Sequence, residues 1–154
     1  MKLIKIGIDD AEKLWKMQVK AFQDLYEKYQ DAETSPATEK IDKIIIRLNQ
    51  PFTYYYFIEV NDIIVGAIRV VDTQEEDRAK RISPIFIMKE YRNKGYAQKA
   101  IQLVEEMHGS SHWELDTILQ EKGNCYLYEK MGYYQTGKRE PINDKLTLVF
   151  YKKD

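Results

Sequence analysis

The chain has 154 residues, enough to bury a real core in one domain, and its 24 basic and 25 acidic side chains leave a net charge of −1, which argues against a surface committed to nucleic acid or anionic lipid. One cysteine, Cys125, excludes an internal disulfide framework. No charged-then-apolar leader opens the chain and no apolar run approaches the roughly 18 residues of a membrane span, so the expectation is a single domain over 1–154 in a reducing, cytoplasmic setting, without nucleic-acid or membrane partners.

In chain order, "KLIKI" (2–6) alternates as a short strand. Asp9 or Asp10 then caps a helix whose apolar residues Leu14, Trp15, Val19, Phe22, Leu25, Tyr26 and Tyr29 recur at helical spacing, and the helix ends near Tyr29. "QDAETSPATEK" reads as a polar loop in which Ser35 or Thr38 starts a second helix, through "IDKIIIRL" and stopped before Pro51. "FTYYYFIEV" and "IIVGAIRVV", joined by Asn61-Asp62, form a β-hairpin, its aromatics core on one face and substrate wall or partner contact on the other. The charge run "QEEDRAKR" (74–81) reads as a solvated loop.

"RISPIFIM" is a further strand, in which Pro84 has no N–H to donate and so fits where pairing has just begun or is broken by a bulge. A helix over 95–107 puts Ala97, Ala100, Ile101 and Val104 on one face. "HWELDTI" (112–118) returns to strand, 124–131 is a short helix, "YYQTG" holds a strand, and "KLTLVFY" (145–151) closes the chain. The order is β-α-α-β-β-β-α-β-α-β-β, which implies an α+β or α/β sandwich around a partly antiparallel sheet.

The junction "KEYRNKGYAQKA" (89–100) carries the first chemical signal. A strand feeding a helix through a glycine-bearing turn leaves the helix's first N–H groups unpaired, and they and the helix dipole favour an anion. Gly95 lets that anion approach the backbone, Ala97 keeps the next turn narrow, and Arg92 and Lys94 add positive charge. The junction suits a pyrophosphate, although Gly95 serves equally well as a plain break between elements. Neither G-x-x-x-x-G-K-[ST] nor G-x-G-x-x-G occurs, so nucleotide hydrolysis and dinucleotide redox chemistry have no support. Cys125 has no recognisable histidine partner and reads as a small buried hydrophobe. Gly109 and two serines interrupt the i,i+4 pair His108 and His112, which therefore does not read as a metal site.

Together, "IFIMKEYRNKGYAQKAIQLVEEM" and "NCYLYEKMGY" resemble the cofactor-binding and following motifs of the GNAT superfamily of N-acetyltransferases: an apolar strand, [QR]-x-x-G-x-[GA], and a downstream L-Y-E-K-x-G-[FY]. The resemblance covers the order of elements over the whole chain, and its specific residues lie between Ile85 and Tyr133. It implies a mixed, mostly antiparallel sheet flanked by helices. It also implies acetyl-CoA as the acetyl donor, held by the strand backbone at Ile85, Phe86 and Ile87 and by the loop at Asn93, Lys94, Gly95, Tyr96, Ala97 and Gln98, with Arg92 at the motif's first position. The strand should splay from 113–118 and open a cleft for the pantetheine arm.

The implied reaction is direct attack by a primary amine on the thioester, with a small-molecule or peptide amine as acceptor and a monomer or homodimer as the assembly. Tyr128 matches the position assigned as proton donor to the departing thiolate; the competing reading is that it packs under the cofactor. Asp116 sits where some members carry an acidic base, but Glu114 shares its strand face and a water chain would also serve. Asn124 either bonds the CoA arm or caps the short helix. A shaping role for the acceptor site falls on 22–40 and 54–56. The contrasting class is a non-catalytic acyl-CoA-binding or interaction module with the same fold.

Overall fold

A computed structural model describes residues 1–154. After a short first strand, β1 (Lys2–Lys5), come helix α1 (Ala11–Tyr29), helix α2 (Ile41–Leu48), strands β2 (Thr53–Val60), β3 (Ile63–Val71) and β4 (Lys80–Ile87), helix α3 (Tyr96–His108), strand β5 (Trp113–Ile118), helix α4 (Lys122–Lys130) and strands β6 (Tyr134–Pro141) and β7 (Thr147–Lys153). The strands form one seven-stranded sheet in the order β1-β2-β3-β4-β5-β7-β6. Every pairing is antiparallel except β4 with β5, so the mostly antiparallel α+β fold expected from the sequence is the one observed. No helix is long and apolar enough to cross a membrane.

Period-two alternation builds a core on each face. Tyr55, Phe57, Ala67 and Phe86 lie under Leu14 and Ala21 of α1 and Ile44 of α2. On the other face Tyr56, Ile58, Ile68, Trp113, Leu115 and Val149 pack against Ala100, Ile101 and Val104 of α3 and Tyr128 of α4. The expectation that the tyrosine-rich strand would show one face to substrate or partner is therefore corrected. β2 lies between β1 and β3 with helices over both faces, so Tyr55 and Tyr56 are buried in opposite layers. The hairpin turn is as read: Asn61 and Asp62 both take positive φ, 52° and 66°, as the tight turn between twisted strands requires.

Other readings shift for visible reasons. The second helix does not begin at Ser35 or Thr38. Ser35 caps only a 3₁₀ turn (Pro36–Thr38), its Oγ accepting the Ala37 N–H at 3.1 Å. The next residue, Glu39, is extended because its carbonyl accepts from Trp15 Nε1 at 2.8 Å, and α2 starts two residues later. The last strand starts later than expected because Asn143 Oδ1 accepts from the N–H groups of Lys145 and Leu146 at 2.8 and 3.0 Å, prolonging the turn. The charge run does not end in solvent either, since Lys80 and Arg81 open β4 and pair with Trp113 and Glu114.

Two features of β4 place the site. Ile68 pairs with Ile85 and Val70 with Ile82, so Ser83 and Pro84 together oppose Arg69, which is the bulge that Pro84 called for. Gly66 of β3 lies against the end of the same strand. A Cβ there would sit 2.1 Å from the Phe86 carbonyl oxygen, so only glycine allows β3 and β4 to pair this closely.

Candidate active site

β4 and β5 touch only at their first residues, Lys80 with Trp113 and Arg81 with Glu114, and then part. From Ile85 to Ile87 the β4 backbone keeps its β3 partners alone, which leaves its other edge open along a cleft of about 460 Å³. Phe22 and Leu25 of α1 wall the cleft on one side and Asn124, Leu127 and Tyr128 of α4 on the other. The splay expected from the sequence is present.

The far end of the cleft is the β4–α3 junction. None of the backbone N–H groups from Asn93 to Gln98 donates to the rest of the protein; the first to do so is Lys99, to the Gly95 carbonyl at 3.1 Å. Six consecutive donors are therefore free at a helix N-terminus. The turn that exposes them uses left-handed backbone at Asn93 (φ 65°) and Gly95 (φ 81°), a concave nest suited to an anion. Asn93, Gly95, Tyr96, Ala97 and Gln98 all line the cleft.

Two basic side chains are placed otherwise than the sequence reading expected. Arg92 lines the cleft, but its guanidinium is engaged on all three nitrogens: Nε donates to the Ile87 carbonyl at 2.8 Å, Nη1 to Asp24 Oδ2 at 3.0 Å and Nη2 to the Ala21 carbonyl at 2.6 Å. It ties α1 to the end of β4. The Lys94 side chain is exposed and not part of the cleft wall. Backbone donors, not side-chain cations, dominate the junction.

A second cavity, of about 330 Å³, adjoins the first and shares Phe22, Leu25, Ile85, Asn124 and Tyr128 with it. Tyr128 is 7% exposed, and its ring packs edge-on against Tyr133 at 6.1 Å. Its hydroxyl makes no hydrogen bond within the protein, whereas those of Tyr29, Tyr55, Tyr56, Tyr133 and Tyr151 all do. No buried side-chain oxygen lacks a partner, so this unpartnered hydroxyl opens into the cavities. Burial first, and then the negative charge of Asp116, push the phenol well above its ordinary value, so that it keeps its proton. The protonated phenol offers its O–H as a hydrogen-bond donor to a group in the cavity.

Asp116 lines the second cavity and Glu114 does not. Arg81 holds both, Nη2 to Asp116 Oδ2 at 3.0 Å and Nη1 to Glu114 Oε1 at 3.3 Å, leaving Asp116 Oδ1 without a protein partner. Asn124 is not the helix cap, a position taken by Glu121; it is the third residue of α4, exposed and on both cavity walls. Cys125 is buried, its Sγ 3.8 Å from the carbonyls of Ile118 and Leu119.

The second cavity draws on α1 and the segment after it (Phe22, Leu25, Asp31, Ser35, Glu39) and not on Tyr54–Tyr56. Lys43 and Arg47 of α2, Ile82–Ile85 of β4, Asp116–Ile118 of β5 and Leu148 of β7 also line it. Glu39, beneath Lys43 and Arg47, is half-buried, which opposes its ionisation, yet the Arg47 charge and the hydrogen bonds of Arg47, Gln18 and Lys43 hold its carboxyl below the ordinary value.

Comparison with known proteins completes the assignment. The sequence matches the Acetyltransferase (GNAT) family over residues 14–133, most of the chain. The chain belongs to the GNAT acetyltransferase family. Its fold is similar to that of spermidine N-acetyltransferase from Vibrio cholerae in complex with CoA and spermine (TM-score 0.75, 15% identity, 97% of this chain and 92% of that one). It is also similar to the PaiA N-acetyltransferase of Thermoplasma acidophilum in complex with coenzyme A (TM-score 0.77, 13% identity, 99% and 98%). The Microcin C7 self-immunity acetyltransferase MccE, in complex with acetyl-CoA and AMP, is a third (TM-score 0.72, 16% identity, 97% and 89%). At such identities the likeness concerns the fold alone. No curated protein sequence matches the chain.

Within this GNAT-family protein, sequence reasoning missed Gly66 and Arg81. An isolated glycine inside an apolar strand pattern is the signal that would have found the first. Arg81 had no such signal, because its two carboxylate partners lie on a strand far along the chain.

Proposed function

We propose that this GNAT-family protein transfers the acetyl group of acetyl-CoA to a primary amine by direct attack. The observation that carries the reading is the Tyr128 hydroxyl, protonated, without a protein partner, and shared by two adjoining cavities. The larger fits the donor: the free N–H groups of 93–98 match a pyrophosphate, and the open edge of Ile85–Ile87 matches the amides of a pantetheine arm. The smaller receives the amine.

In the reaction, the ammonium gives a proton to Asp116 Oδ1, directly or through a water, and the neutral nitrogen attacks the thioester carbonyl carbon. The N–C bond forms, the C–S bond breaks with its electron pair moving to sulfur, and the Tyr128 phenol supplies the sulfur's proton. The phenolate recovers a proton from the nitrogen and Asp116 releases the one it took to water, which gives an amide, free CoA thiol, one proton in solvent and an unchanged protein. The test is thiol release from acetyl-CoA across amines of different charge, with CoA binding followed separately. Release that depends on an amine supports the reading; binding of CoA without release to any of them supports a non-catalytic module instead.

A further inference from the structure

The cavity that receives the amine has its charges divided between opposite walls. On the α2 wall, Glu39 is filled: Oε1 accepts from Gln18 at 2.8 Å and Arg47 at 3.0 Å, and Oε2 from Arg47 at 3.1 Å. Lys43 Nζ takes the remaining acceptor site on Oε2, at 3.2 Å, and the lysine side chain is 57% exposed. Behind the same wall Arg69 is 8% exposed and has no carboxylate partner. It donates instead to the Ser83 carbonyl at 2.9 Å, to Gln50 Oε1 at 3.1 Å and to Thr53 Oγ1 at 3.2 Å. Three cations therefore stand against one acid on this side. On the β5 wall, next to Tyr128, the count reverses, because Asp116 and Glu114 share the single cation Arg81. At the rim Asp31 accepts from Thr34 Oγ1 at 3.0 Å and has no cation.

A site for a polycation would be acidic throughout, since every ammonium must find an anion. This one is bipolar: negative where the attacking nitrogen belongs and positive across from it. We infer that the acceptor is a small primary amine that carries its own anion, a carboxylate or a phosphate, with Lys43 binding that anion while the nitrogen lies between Asp116 and Tyr128. The inference rests on the reading of the cleft as an acetyl-transfer site. Lys43 is the specificity determinant because Arg47 is held to Glu39 by two bonds and Arg69 is sealed, whereas the exposed lysine has one contact to exchange for an incoming anion and leaves Glu39 still held by Arg47 and Gln18. A cavity of about 330 Å³ suits a compact molecule, not a long chain.

The test compares matched probes in thiol release: glycine, β-alanine and O-phosphoethanolamine against propylamine, ethanolamine and 1,3-diaminopropane. Binding of the same probes to the CoA-saturated protein is measured by calorimetry. The anion-bearing set should be preferred in kcat/KM by about tenfold or more, as expected for one charge-assisted contact. Lys43→Gln should erase that preference through KM, and Lys43→Glu should reverse it toward the diamine, both with CoA affinity unchanged. A parent protein that prefers the diamine or the neutral amines overturns the inference and leaves the acetyl-transfer reading intact, and so does a preference that both Lys43 variants retain. Lysine-dependent binding of the anion-bearing probes without thiol release keeps the charge reading of the cavity and sinks acetyl transfer. Absence of both binding and turnover for the anion-bearing set counts against the inference.

Discussion

At the scale of single residues, Tyr128 and Asp116 make separable demands. Tyr128→Phe removes one oxygen and keeps the ring against Tyr133 and Tyr151, so CoA affinity should hold while kcat falls on the order of 10²–10³, the usual range for a general acid. Equal turnover by the Phe variant would leave Tyr128 as packing. Asp116→Asn should lower the rate more than Glu114→Gln, because only Asp116 reaches the cavity, and the parent's rate should climb from about pH 6 to about pH 8 as the acceptor ammonium becomes easier to deprotonate. A Glu114 variant that proves the slower of the two reassigns the base. The tyrosine was legible in the sequence because it stands inside a contiguous motif, "LYEK". The choice between Asp116 and Glu114 was not, since period two places both on one face and only the divergence of β4 from β5 exposes one of them.

At the scale of elements, strand and helix periodicity carried nearly all of the order, and the misreadings cluster where tertiary contacts overrule local pattern. Trp15 claims the Glu39 carbonyl and splits what reads as one helical start, and Arg92, read as an anion ligand, is drawn to α1 by Asp24 and the Ala21 carbonyl, which its own segment does not contain. The β3–β4 pairing gives a sharp contrast between two glycines. Gly95 has open space around a would-be Cβ but a left-handed φ, so Gly95→Val should strain the anion nest and abolish CoA-dependent thermal stabilisation with modest loss of fold stability. Gly66→Ala should instead drive a methyl into the Phe86 carbonyl, costing about 1–3 kcal/mol of fold stability by overpacking and weakening CoA binding only as a consequence. Chemical denaturation paired with a CoA thermal-shift titration separates the two. A Gly66→Ala variant as stable as the parent would show that the strands can part without penalty.

At the scale of the whole molecule, two carboxylates hold the helices over the sheet. Glu39 joins α1 to α2 through Gln18 and Arg47, and Glu121 joins α1 to α4 through Lys28, at 2.8 Å, and Tyr29. Burial opposes the ionisation of both, but the cation of Arg47 in one case and the hydrogen bonds of Lys28 and Tyr29 in the other outweigh it, so both carboxyls sit below their ordinary 4.5. A lowered folded-state value means stability that is complete above about pH 4.5 and is lost as pH falls through the folded value. Melting temperatures should therefore drop from pH 5 toward about pH 3, and the double variant Glu39→Gln, Glu121→Gln should flatten that limb; an unchanged limb would place the acid sensitivity elsewhere. The parting of β4 from β5 has a consequence beyond any reaction. It leaves backbone edges of β4 and β5 unpaired in the middle of a sheet, an opening that an extended segment can pair with. A pantetheine-bearing ligand lodged in that gap would cover those edges, so the aggregation rate of the protein should fall as CoA is added.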